Sequence, residues 1–276
     1  MRTITKVAVA TAGASALLVS VGWLGLKIAP KPFPPHSEGT GELYMAEPSS
    51  DLPEPVQRYL RATLGEGVPQ IETSVVWGRG YFNLNGLLWF PMRFKAYNVA
   101  GQEFHRDMEL TWFGMPIFRG YDAYRNGKGS LEFAGLLGMV HVSDSGEKVD
   151  QGDNFVMWTE VPFTTPSALA LDPRVHWEPI DDNSARLIFP FGDQEDSLRV
   201  EFEIESGVIT QMSGMRYRDQ EETKTPYRGE YSEWRTVHGI KIPHRPVATW
   251  EDQEEPYVIL DIEGAEYNVD VSDKIP

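Results

Sequence analysis

Runs of alternating apolar and polar residues, separated by turn residues at hairpin spacing, occupy most of the chain beyond Gly65. About a dozen of these runs are predicted to be strands. They lie at residues 71–84, 88–99, 102–112, 117–125, 140–142, 175–180, 185–191, 198–204, 208–217, 227–237, 240–251 and 257–270. Pairs such as Asn126-Gly127 and His238-Gly239 separate consecutive runs and are typical of tight hairpin turns. The pattern therefore predicts a largely antiparallel sheet.

Two short segments are predicted to be helical instead. Residues 51–65 have Asp51 as a candidate N-cap, Pro53 in the first turn and Gly65 as a stop. Residues 154–171 are the second such segment and divide the strands into two groups. The predicted fold class is mainly β, a β-rich α+β protein with a long curved antiparallel sheet or half-barrel and a few short helices. A single transmembrane helix is predicted to precede it.

That transmembrane prediction rests on residues 7–26, which carry no charge. At about 1.5 Å rise per residue, such a run is long enough to span a hydrocarbon core of about 30 Å. A cleaved secretory signal is the alternative, although its small-residue cleavage motif would lie inside the apolar run. We expect a cytoplasmic segment at residues 1–6, an anchor or signal segment at 7–28, a Pro/Gly-rich linker at 29–50, and an exported β domain at 51–276.

Charge and composition exclude several classes of function. The chain has 25 basic and 41 acidic residues, and its first 31 residues hold four of the basic ones and none of the acidic ones. The exported part is therefore strongly acidic, which argues against nucleic-acid binding and against adsorption on anionic headgroups. The absence of Cys excludes disulfides and thiolate chemistry. No pattern in the sequence indicates an oligomeric state.

Several motifs together resemble a bacterial domain-of-unknown-function family. They are LPEPVQRYL at residues 52–60, WFGMPIFRGYDAYRNGKGS at 112–130, VHWEPIDDNSARL at 175–187 and Gly-Ile-x-Ile-Pro at 239–243. The resemblance covers roughly residues 51–267 and implies no established activity. The order of elements also resembles LolA-like half-barrels, which carry lipoproteins or lipids across the envelope. A shared architecture does not by itself transfer that function.

Four residues are candidates for ligand binding. Trp89, Met92 and Trp112 belong to a segment rich in aromatic residues and Met, which suits irregular apolar ligands but also an ordinary β core. Glu160 lies among apolar neighbours, so it is either exposed or buried with a partner such as Arg106 or Arg216.

No motif indicates a cofactor, a metal site or a catalytic residue, although the acidic residues at 144–153 leave calcium binding open. The sequence therefore predicts a domain attached to the bacterial membrane through residues 7–28, on the extracytoplasmic side, that binds an apolar or amphipathic ligand such as a lipid. Two alternatives remain open at this point. One is a carboxylate-dependent hydrolase acting on envelope glycans, and the other is a structural partner in an envelope complex.

Overall fold

One antiparallel sheet of thirteen strands dominates the computed structural model, which describes residues 15, 19–48, 51–84, 86–135, 138–218 and 220–275. The strands are β3 (Thr73–Leu84), β4 (Leu88–Val99), β5 (Glu103–Trp112), β6 (Met115–Arg125), β7 (Lys128–Gly135), β8 (Val140–Ser145), β9 (His176–Asp181), β10 (Ser184–Phe191), β11 (Gln194–Phe202), β12 (Ile209–Tyr217), β13 (Lys224–Val237), β14 (Ile240–Trp250) and β15 (Val258–Tyr267). Their order is β8-β7-β6-β5-β4-β3-β15-β14-β13-β12-β11-β10-β9. Before them, β1 (Met45–Ala46) and β2 (Val68–Pro69) form a small separate ribbon. The prediction of a long antiparallel sheet is confirmed.

Three helices complete the domain: α1 (Glu54–Leu64), α2 (Glu147–Thr164) and α3 (Ala168–Leu171). Helix α2 contacts strands as far apart in the sheet order as β8, β7, β6, β3, β14, β12 and β10. A flat sheet could not place both of its ends against one helix, so the sheet curls around α2. The domain is a half-barrel whose concave face is covered by this helix.

Helix α2 begins earlier than predicted. The sequence placed a helical segment at residues 154–171 and a loop before it, but the helix starts at Glu147 and ends at Thr164. Almost every side chain from Val149 to Thr164 is buried, including Asp150 and Asp153. A helix that is enclosed on all sides has no polar face, and its sequence therefore lacks the amphipathic period by which helices are recognised.

Strand β7, which contains Gly129 and Gly135, was not predicted from the sequence. Glycine inside a strand is typical of a position where another backbone approaches closely. A Cβ at Gly129 would lie 2.6 Å from the Val149 carbonyl oxygen of α2. The residue that weakens the strand pattern is thus the one that lets α2 approach the sheet.

At the amino-terminal side of the domain, residues 29–42 run along the convex face of the sheet, opposite α2. We call this segment the strap. Lys31 and Pro34 accept hydrogen bonds through their carbonyl oxygens from Arg93 Nη1 and Lys95 Nζ, both at 3.1 Å, and the Thr40 amide donates to Glu266. The segment predicted as a linker at residues 29–50 therefore contacts the domain along much of its length.

A short helical segment, residues 19–25, precedes the strap. Within the described residues, no helix is both long and apolar enough to cross a membrane. Most of the apolar run at residues 7–26 lies outside those residues, so the predicted transmembrane helix stays a prediction.

Candidate functional site

The concave face beneath α2 is lined mainly by apolar side chains. Inward-facing residues alternate along β4 and β5 and join one buried cluster with the helix. They include Phe90, Met92, Phe94, Phe104, Met108 and Leu110 from the strands, and Phe155, Met157, Trp158 and Val161 from α2. The ring of Trp158 stacks on Phe189 with 5.4 Å between centroids, and Phe155 meets Tyr227 edge-on at 5.8 Å. Helix α2 thus occupies the volume that the curved sheet encloses.

An ionic cluster interrupts this apolar lining. Arg106 on β5 and Asp122 on β6 are cross-strand partners, and the Arg106 guanidinium donates to both carboxylate oxygens of Asp122. Its remaining terminal nitrogen donates to Glu160 of α2. The side chains of all three residues are at most 15% exposed. Arg106 therefore links the sheet to the helix through two carboxylates.

Burial shapes the ionisation of this cluster. Burial raises the pKa of Glu160, Asp122 adds to that rise, and Arg106 opposes it. Burial also disfavours the charged form of Arg106, but Asp122 and Glu160 outweigh that effect and raise its pKa well above the usual value. Arg106 is thus a permanent cation inside an apolar face. The two carboxylates around it carry more negative charge than this one guanidinium neutralises.

A second polar pair, Asp153 of α2 and Arg216 of β12, lies beside this ionic cluster. Burial and the nearby Asp122 raise the pKa of Asp153 well above its usual value, although Arg216 and Arg106 oppose the shift. The guanidinium carbon of Arg216 lies 5.1 Å from the Tyr227 ring centroid and 4.9 Å from that of Trp250. Within the part of the chain that the structure describes, Asp153 Oδ2 and Arg216 Nη1 are buried without a hydrogen-bond partner. Helix α2 therefore covers the polar part of the concave face imperfectly.

The structure brings together only two of the four predicted site residues. Met92 and Glu160 both lie in the space between α2 and the sheet. Trp89 is three positions before Met92 on β4, so the alternation of side chains places it on the opposite face. Trp112, the last residue of β5, is 40% exposed, and its Nε1 donates to the Gly22 carbonyl oxygen at 2.9 Å.

Arg106, one of the two partners expected for Glu160, is its ion-pair partner. Sequence reasoning missed the role of Asp122, because a β-bulge at Leu110/Thr111 shifts the register that counting from the turn would give. The acidic residues considered for calcium are engaged differently: Asp150 accepts from Lys128 Nζ at 2.9 Å and from the Gly129 amide at 2.8 Å. No group of three His, Asp or Glu suited to a metal ion occurs among the described residues.

Two surface pockets stand out in the described residues, and both lie away from this cluster. One, of about 730 Å³, is formed by the ends of β3 and β4 with residues around α3, and includes Asp172 and Arg174. The other, of about 530 Å³, lies between α1 and β9 and includes Arg58 and Ile180. Any ligand on the apolar concave face would have to take volume that α2 now fills.

The fold and this covered concave face define a half-barrel protein with a helix across its opening. Residues 42–262 match the family of unknown function DUF6544, and the chain belongs to that family. This confirms the resemblance to an uncharacterised family. No curated protein matches the sequence.

Three solved structures show what the fold is similar to. A LolA superfamily protein from Nitrosomonas europaea is 6% identical, with 80% of this chain and 96% of that chain covered and a TM-score of 0.46. A putative outer membrane lipoprotein-sorting protein domain from Vibrio parahaemolyticus is 8% identical, with coverages of 80% and 92% and a TM-score of 0.46. A DUF1329 family protein from Desulfovibrio piger is 13% identical, with coverages of 74% and 89% and a TM-score of 0.42. The similarity to LolA-like proteins is one of fold alone.

Proposed function

We propose that this protein is a membrane-attached envelope domain that binds an apolar or amphipathic ligand, such as a lipid, on the concave face of its half-barrel when helix α2 moves aside. One observation carries the proposal. Arg106 is a buried cation in a mainly apolar face, and one of its two carboxylate partners, Glu160, belongs to the covering helix rather than to the sheet.

Displacement of α2 would leave an apolar groove in which Arg106 stays paired with Asp122 through two of its nitrogens, while the third, Nη1, loses its acceptor Glu160. Acyl chains gain free energy from leaving water in such a groove, and an anionic headgroup could take the place that Glu160 occupies on Arg106. The unpaired Asp153 Oδ2 and Arg216 Nη1 lower the cost of moving the helix, because burying them without partners already opposes the closed state. This arrangement favours an amphiphile with a negative headgroup.

Attachment to the membrane through residues 7–28 is part of the same proposal. The uncharged run at residues 7–26 is long enough to span a bilayer, and Arg2 and Lys6 before it favour a cytoplasmic amino terminus. The domain would then stand on the extracytoplasmic side, where a ligand can come from the adjacent membrane.

The hydrolase alternative gains no support from the carboxylates that meet in the structure. Asp122 and Glu160 share Arg106 and are buried under α2, whereas general acid–base work on a glycan needs two carboxyl groups facing an accessible cleft. The structural-partner alternative would need an exposed apolar surface, and the described residues carry one at the turns that contain Leu87, Phe113 and Met139.

The test is native mass spectrometry of the full chain, purified in mild detergent and mixed with lysophosphatidylglycerol or the zwitterionic lysophosphatidylcholine. We expect one equivalent to survive removal of the detergent, with the anionic lipid retained more strongly. Glu160→Gln should strengthen that retention, because it removes the carboxylate that competes for Arg106. The matched control is Glu263→Gln, whose partner Arg79 pairs with it outside this cluster. If neither lipid is retained, or if both substitutions behave alike, the proposal is wrong.

A further inference from the structure

We propose that three neighbouring turns, all at the same end of the strands, form a surface that inserts into the interface of a lipid bilayer. We call this surface the apolar rim. Its large exposed apolar residues are Leu84, Leu87, Leu88, Trp112, Phe113, Met115 and Met139. Leu87, Met139 and Met115 are 82%, 79% and 68% exposed, which is unusual for side chains of this size in a soluble surface and is typical of an interaction site.

The topology places these residues together. The β3–β4, β5–β6 and β7–β8 connections each join two neighbouring antiparallel strands, so all three turns lie at the same end of the strands. Alternate connections are two strand spacings apart, which is about 10 Å. The rim is therefore a row of three apolar tips about 20 Å long.

The backbone of the middle tip disfavours an aromatic side chain, so turn geometry does not explain Phe113. Phe113 and Gly114 have φ values of 51° and 70°, a conformation that favours Asn or Gly and is unusual for a bulky residue. The chain uses Asn126-Gly127, with φ values of 50° and 75°, for the same geometry in the β6–β7 turn at the opposite end of the strands. A strained aromatic residue at an exposed tip indicates that its side chain serves a contact outside the domain.

The rim is continuous with the segment proposed to enter the membrane. Trp112 Nε1 donates to the Gly22 carbonyl oxygen, and the Phe113 amide donates to that of Gly25, both at 2.9 Å. The strap follows these residues and is held on the convex face by hydrogen bonds from Arg93 and Lys95. The apolar run at residues 7–26 thus ends against the middle tip, and its exit from a bilayer would bring the rim to the bilayer surface.

The charge near the rim indicates how it would bind a bilayer: by insertion of apolar side chains and not by attraction to anionic headgroups. The next connection at this end of the strands, residues 251–257, carries Glu251, Asp252, Glu254 and Glu255. These carboxylates would be repelled by an anionic surface, so the apolar tips supply the attraction. Trp112 and Phe113 suit the interfacial depth, where aromatic rings are favoured.

This inference rests on the membrane attachment in the proposed function but not on ligand binding at the concave face. The full chain is reconstituted into phosphatidylcholine vesicles, with a single Cys carrying an environment-sensitive fluorophore. Because the chain has no Cys, Leu87→Cys and Met139→Cys each give one label at an exposed position. The matched control is Gln102→Cys, at an exposed position in the β4–β5 turn, which lies at the opposite end of the strands.

Labels at positions 87 and 139 should shift to shorter emission wavelengths and be quenched by lipids spin-labelled near the headgroup, while the control stays unquenched. Adding Phe113→Asn should weaken the quenching at position 87 without lowering the stability of the domain. Quenching that is equal at all three positions would overturn the inference. A wavelength shift without lipid quenching, growing with protein concentration, would assign the rim to a second copy of the chain and would overturn it too. Ligand retention in native mass spectrometry is read separately, so failure of one proposal is distinguishable from failure of the other.

Discussion

The ionic cluster predicts that Arg106→Met is far more damaging than Glu160→Gln, although both substitutions break the same ion pair. Removing Arg106 leaves Asp122 and Glu160 buried without their cation, and loss of one partner from a buried pair costs about 3–5 kcal/mol. Glu160→Gln keeps the two-fold hydrogen bonding of Arg106 with Asp122, so we expect a loss of only about 1–2 kcal/mol.

The effect of pH supplies a second, independent signature. Without Arg106, the interaction that opposes the burial of Glu160 is lost, so the pKa of Glu160 lies further above that of the unfolded chain, the native state binds more protons over that window, and its stability falls as pH rises. The destabilisation by Arg106→Met should therefore be largest near pH 8 and shrink towards pH 5. Adding Glu160→Gln to Arg106→Met should recover about 1–2 kcal/mol, because one fewer carboxylate is left unpaired.

The assay is urea unfolding of the full chain in mild detergent, followed by tryptophan fluorescence and far-ultraviolet circular dichroism at both pH values. Equal losses for the two single substitutions at pH 8 would refute the reasoning. So would a loss for Arg106→Met that does not change with pH, since the unpaired carboxylates are the stated cause.

Three further predictions concern the way α2 covers the sheet. Burial raises the pKa of Asp153, so the native state keeps this proton to a higher pH than the unfolded chain does and loses stability as the proton dissociates. Asp153→Asn should therefore raise the free energy of unfolding at pH 8 by about 1–3 kcal/mol. The gain at pH 4 should be small, and the same urea assay measures both values. Gly129→Ala should cost about 1–3 kcal/mol by forcing Val149 of α2 away from β7, and a thermal scan that shows no loss would contradict the close approach. Tyr231→Phe removes the hydroxyl that donates to the Thr159 carbonyl oxygen and should cost about 1 kcal/mol, with faster amide exchange in α2 as the measurement and unchanged exchange as the contrary result.

Much of the sheet could be predicted because its strands alternate and its turns carry Gly at positive φ. Gly101, Gly127, Gly207 and Gly239 all adopt that conformation at predicted turns. The amino-terminal helix was also predicted, although it begins at Glu54 with Pro53 at its N-cap position, not with Asp51. Local chemistry thus determined these elements, and a single sequence was enough to find them.

The covering helix and the site could not be predicted in the same way. Asp150 and Asp153 look like part of a solvated acidic loop in sequence, yet α2 buries them between strands that precede it, such as β7, and strands far along the chain, such as β12. Arg106 and Asp122 meet only through a bulged hairpin register, and Glu160 reaches them from α2. Such contacts depend on tertiary packing, on which local patterns carry no information.

Hydrogen–deuterium exchange of the full chain, with and without lysophosphatidylglycerol, tests the central claim most directly. If the ligand takes the place of α2 on the concave face, backbone amides of residues 147–164 should exchange faster when lipid is added, while those of β4 and β5 should exchange more slowly. Unchanged exchange in α2 at lipid concentrations that saturate any binding would contradict the account, because the apolar face of the half-barrel would then remain an ordinary protein core.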